Sequence, residues 1–149
     1  MVDTEKLAEV ANRINQKSDD LQTTLQKIQD KINGLNIGLE VWLSNPILSR
    51  ETPSIVTDRR CTLDVYLGYA KTFSGWGLVS QEKVYSQSLG DDDEWIHDSC
   101  NEAQPLLKSS RAIRIAALKH LQELIDEIVR SAENSINEIE KAKLLADEM

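Results

Sequence analysis

The chain has 149 residues, a length that suits one domain and hides roughly 68–70% of the unfolded surface on folding. It is 28% charged and 40% hydrophobic with a net charge of −8, and it has no apolar run near the ~18 residues a membrane-spanning helix needs. That balance excludes a bilayer span and argues against nucleic-acid or anionic-membrane binding.

Two cysteines, Cys61 and Cys100, are too few for a disulfide framework. The start, Met1 to Lys6, has no basic stretch and no apolar core of a secretory signal. A reducing cytoplasm is therefore the expected location.

The first predicted element is a helix over residues 3–33. Asp3 or Thr4 can cap it, Glu5 and Glu9 suit its dipole, and Gly34 reads as a left-handed stop. Leu7, Ala11, Ile14, Ser18, Leu21, Leu25, Ile28, Ile32 and Leu35 form a narrow apolar seam. Its flanks, including Asn15, Lys17, Gln22, Thr24 and Gln29, are polar, which predicts one main partner.

The apolar period then falls to two, and residues 37–88 predict a small antiparallel sheet of three or four strands. Ile37, Leu39, Val41 and Leu43 mark the buried face of the first strand. Prolines 46 and 53 predict a loop over residues 45–58. Cys61, Leu63, Val65 and Leu67 mark the buried face of the next strand. Phe73-Ser74-Gly75 predicts a tight turn into a strand from Trp76 to Gln81, with Lys83 to Ser88 as its continuation.

Residues 89–104 carry six acids and no base and read as an acidic loop. The contiguous acids Asp91 to Glu94 lack the alternation and central glycine of a calcium loop. Pro105 suits the first turn of a closing helix over residues 105–148. Leu106, Ile113 and Ala117 on its upper part are expected against the sheet.

The lower part of that helix carries a second seam: Leu118, Leu121, Ile125, Ile128, Ala132, Ser135, Ile139, Ala142 and Ala146. Laid antiparallel on the first, its facing pairs all sum to 153, and Ser18 meets Ser135. The expected fold is therefore α+β: an antiparallel two-helix coiled-coil hairpin with the small sheet inserted between its arms.

Ile115, Val129 and Ile136 flank the second seam on one side, and Ala117, Leu124 and Leu145 on the other. Coiled-coil flanks are usually charged. Packing on the sheet accounts for the upper ones. Val129, Ile136 and Leu145 lie far down the arm and predict a homodimer through the C-terminal helix.

No catalytic motif stands out: there is no Gly-x-Ser-x-Gly turn and no phosphate loop. No metal or cofactor is expected. His97, Cys100, Cys61 and His120 could form a zinc set, but Cys61 falls on a core face and His120 on a helix face. Lys108, Arg111, Arg114 and Lys119 gather in the first turns of the closing helix, a position unfavourable to cations. Nearby acids are their internal partners; a phosphate or carboxylate bound by Arg111 and Arg114 is the functional alternative. Trp42 and Tyr66 lie with Gly68 on the sheet face opposite the aliphatic one, where they either cover the glycine or form a protein- or peptide-binding patch.

The order helix, small β-region, long helix, with the two helices pairing, resembles prefoldin subunits, which would imply a holdase chaperone. It also resembles the nucleoid-associated YbaB family, which would imply a dimer. Neither contributes a residue assignment. The expected function is a non-enzymatic, oligomeric interaction or scaffold/chaperone-like module. The alternative is a small-anion or metal-binding protein, possibly a hydrolase, centred on Arg111, Arg114, His97 and Cys100.

Overall fold

The computed structural model describes residues 3–52, 59–88 and 95–149, leaving aside the side chains of residues 59, 88 and 95–98. The first helix, α1, spans Thr4–Gly34. The Asp3 carboxylate caps it by accepting from the Lys6 N–H at 2.9 Å. Its left-handed stop is Asn36 (φ 51°) rather than Gly34, which stays helical. Gly38 follows at φ 66°, and this second left-handed residue bends the chain away from strand geometry. Only Val41–Trp42 of the expected first strand joins the sheet, as β1.

The described sheet has six antiparallel strands, not three or four. Beyond β1 these are β2 (Leu48–Thr52), β3 (Arg59–Thr72), β4 (Gly75–Ser88), β5 (Trp95–Cys100) and β6 (Gln104–Pro105). β3 and β4 form the central hairpin, closed at Thr72 and Gly75 across Phe73-Ser74. β1 and β2 pair with β3; β5 and β6 pair with β4. β2 lies where a loop is expected and β5 inside the expected acidic loop. Pro105, expected in a helix, pairs with Val79 instead. The acids Asp91 to Glu94 and residues 53–58 lie outside the described residues.

The closing helix is divided. A 3-10 turn (Leu106–Lys108) leads to α2 (Arg111–Lys119), and α3 (Leu121–Asp147) restarts after His120. His120 leaves the helical region (φ −105°, ψ 7°), and its ring Nδ1 lies 3.2 Å from the Glu123 carboxylate. The break turns two short stripes onto the sheet: Ile113, Ala116 and Ala117 from α2, and Leu121, Leu124 and Ile128 from α3. With Leu25 and Ile32 of α1 they bury the sheet residues Val65, Leu67, Tyr69 and Leu78.

The two-helix coiled coil is thus not present. α1 packs on α2, the 3-10 turn and β4; α3 packs on β1 and α2. Ser18, expected against Ser135, accepts from the Arg111 guanidinium Nε at 3.2 Å. The physical reason is that the inner halves of both seams, Leu25, Ile32, Leu121 and Ile128, are buried in one core with the sheet residues Val65, Leu67, Tyr69 and Leu78. Leu25 is fully buried there, while the outer seam residues Leu7 and Ile139 are 65% and 66% exposed. The resemblances to prefoldin and to the YbaB family rested on paired helices and fall with them.

Candidate functional site

Three surfaces could carry function. The first is formed by the two helix arms. Residues 4–17 of α1 are exposed apart from partly buried Ala11, and residues 133–149 apart from partly buried Ser135. On α3, Val129 is 50% exposed, Ile136 53% and Leu145 66%. The flanks predicted to be free of the sheet are therefore free, whereas Leu124 and Ala117 are fully buried in the core. Ile115, expected to reach the sheet or its loops, is exposed.

The second surface is the outer sheet face. Trp42 lies over Gly68, where a Cβ would sit 2.5 Å from Trp42 Cε3. The indole N–H of Trp42 donates to Glu40 at 2.9 Å. Beside it the hydroxyls of Tyr66 and Tyr85 are 3.3 Å apart, and Lys83 Nζ stands 4.8 Å from the centre of the Tyr66 ring. Burial, then the Tyr85 hydroxyl, raises the Tyr66 pKa above the ordinary phenol value. Trp42, Tyr66, Lys83 and Tyr85 line a cavity of about 330 Å³. Trp42 thus covers the glycine and also walls a shallow patch.

The third is a cavity of about 670 Å³ between the inner sheet face and the start of α2. Its floor is Leu48, Leu63, Val65 and Ile113; Arg50 and Lys108 stand on its wall with Glu82 and Glu102. Two bases against two acids give it no strong preference for an anion. The Ser80 and Ser109 hydroxyls in its wall already pair with each other at 2.8 Å.

Arg111 and Arg114 do not open onto that cavity. They turn toward α1, where Arg114 Nη1 donates to Gln22 Oε1 at 2.6 Å and Arg111 meets Ser18. The expected internal contact exists, but its partners are neutral side chains rather than acids. The Arg114 Nε is buried without a hydrogen-bond partner.

Cys61 and Cys100 are free thiols on strands separated by β4. Cys100 Sγ accepts from Gln81 Nε2 at 2.9 Å. The side chain of His97 lies outside the described residues. Among those described, no group of three or more His, Cys, Asp or Glu is placed to hold a metal ion. No described helix is long and apolar enough to cross a membrane.

Sequence reasoning missed the amides that fasten α1 to the sheet. Gln22 Nε2 donates to the Leu107 carbonyl at 3.0 Å, Gln29 Oε1 accepts from the Leu78 N–H at 2.9 Å, and Asn33 Nδ2 donates to the Trp76 carbonyl at 3.0 Å. The available signal was their spacing. Steps of seven and four keep all three on one helix face, beside Leu25 and Ile32. No protein-family model, curated protein or solved structure matches the chain.

Proposed function

We propose that the chain acts by binding rather than catalysis: it is a self-associating protein-interaction module, a homodimer whose contact surface is the projecting half of α3. One observation carries this reading. Val129, Ile136, Ile139 and Leu144 are each half or more exposed along one side of α3 with no described element packed over them, while Leu145 is exposed on another side. Contiguous exposed apolar surface of this kind marks interaction sites, whereas scattered single residues do not. Symmetric dimers are the commonest way to cover it.

The Trp42–Tyr66 patch is the second contact surface in this reading, suited to a protein or peptide. Its aromatic rings are amphipathic and partly preorganised by the Tyr66–Tyr85 and Trp42–Glu40 contacts. The net charge of −8 argues against a nucleic-acid partner. Free Cys61 and Cys100 accord with a reducing, cytoplasmic setting. The chaperone-like element of the expectation depended on paired arms and is not carried forward.

The test is light scattering on the wild type and on Val129→Glu with Ile136→Glu. The reading requires a wild-type dimer and a folded monomeric variant. A wild type that is monomeric at high micromolar concentration contradicts it.

A further inference from the structure

Building on this self-association, we infer that the surface covering α3's projecting half is the projecting N-terminal half of α1 from a second copy, laid antiparallel and returned by two-fold symmetry. The two exposed stretches match in length. In the alignment where facing residues sum to 153, residues 4–17 of one copy fall opposite residues 136–149 of the other. Those are the stretches each helix leaves unpacked. The inner halves of both seams, Leu25 and Ile32 on α1 with Leu121 and Ile128 on α3, are already buried on their own sheet. Within one protomer α1 packs on α2, the 3-10 turn and β4, and α3 on β1 and α2, while residues 4–17 and 136–149 stay exposed apart from Ala11.

The alignment puts Leu7 opposite the partner's Ala146, Ala11 opposite the partner's Ala142 and Ile14 opposite the partner's Ile139. Charge agrees with it. Lys17 flanks the partner's Glu138, Arg13 is level with the partner's Glu140, and Lys6 with the partner's Asp147. Glu5 and the partner's Glu148, at the tips, are the like-charged exception. An α3–α3 pair centred on Ile139 would instead set Glu138 of each copy against the partner's Glu140. Two-fold symmetry repeats the α1–α3 contact, giving a closed dimer with no free arm.

The test uses full-length protein with Cys61 and Cys100 replaced by serine. Ile14→Cys and Ile139→Cys are made as separate variants, oxidised alone and after mixing. The inference predicts a mixed disulfide dimer only after mixing. A second arm avoids cysteine altogether: Lys17→Glu should weaken the dimer roughly tenfold, two contacts being lost together, and adding Glu138→Lys should restore it. A dimer in which Ile139→Cys links to itself and the mixture gives no mixed product overturns the α1–α3 contact while leaving self-association standing. Failure of Glu138→Lys to restore the Lys17→Glu dimer also overturns it. A wild-type monomer overturns both.

Discussion

Gln29 of α1 accepts a hydrogen bond from the Leu78 backbone N–H at 2.9 Å, ahead of the point where β6 begins to pair with β4. Leu78 is fully buried, so water is no substitute for this partner. Asn33, one turn on, serves the Trp76 carbonyl and accepts from the Tyr69 hydroxyl. A helix side chain thus completes the sheet edge, and α1 is joined to the sheet by polar bonds as well as by Leu25 and Ile32.

Gln29→Ala should therefore cost about 1–3 kcal/mol, the range for leaving a buried donor unsatisfied. Gln29→Glu keeps an acceptor and should recover part of the loss at neutral pH. Urea denaturation followed by tryptophan fluorescence measures both. Equal midpoints for Gln29→Ala and wild type would show that the bond contributes nothing.

The contact between Arg114 and Gln22 predicts an order of effects. Gln22→Ala strands the Arg114 Nη1 donor and the Leu107 carbonyl together, and should cost about 1–3 kcal/mol. Arg114→Met removes the donor and its unpartnered Nε at once while keeping the aliphatic stem, and should cost less, about 1 kcal/mol or under. Chemical denaturation ranks the two. The reverse order would mean that the guanidinium charge itself matters to the fold.

Stability should fall at alkaline pH. Burial raises the pKa of Tyr69, and burial with the Tyr85 hydroxyl raises that of Tyr66. In the unfolded chain both ionise near pH 10; in the fold they hold their protons longer. The unfolded state then binds fewer protons than the native one, so stability decreases with rising pH in that window. The contribution is complete below pH 10 and is lost progressively above it. Thermal melts from pH 8 to 11 should show a steeper fall above 10 for wild type than for Tyr66→Phe with Tyr69→Phe, each compared with its own value at pH 8. Parallel curves would contradict this.

The apolar stripes were legible in the sequence; their partners were not. Leu21, Leu25, Ile28 and Ile32 repeat at helical spacing, and that period states which face is buried without stating against what. Two seams of equal length suggested each other, yet both inner halves pack on the sheet. The helix break at His120 carries no glycine or proline, so nothing local announces it. β2 was hidden because Leu48–Thr52 has three exposed residues in its middle and lies between prolines 46 and 53. Val65 and Leu67 are buried as the alternation predicts, while Cys61 to Asp64 are all partly buried, and the Phe73-Ser74 turn joins β3 to β4 where the sequence predicts it. Among the candidate site residues, Val129 and Ile136 are exposed, Val129 because it faces away from the core that buries its neighbour Ile128. The contacts of Arg111 and Arg114 were not legible, because neutral Ser18 and Gln22 gave no electrostatic hint of partnership.

The claim on which the functional account rests is that the projecting half of α3 brings two copies together. Its most direct test is the solution mass of wild type against Val129→Glu with Ile136→Glu, by light scattering across low to high micromolar concentration, with circular dichroism as the check on folding. The account predicts about twice the chain mass for wild type and one chain mass for a variant that keeps its helical signal. One chain mass for wild type throughout that range would contradict it.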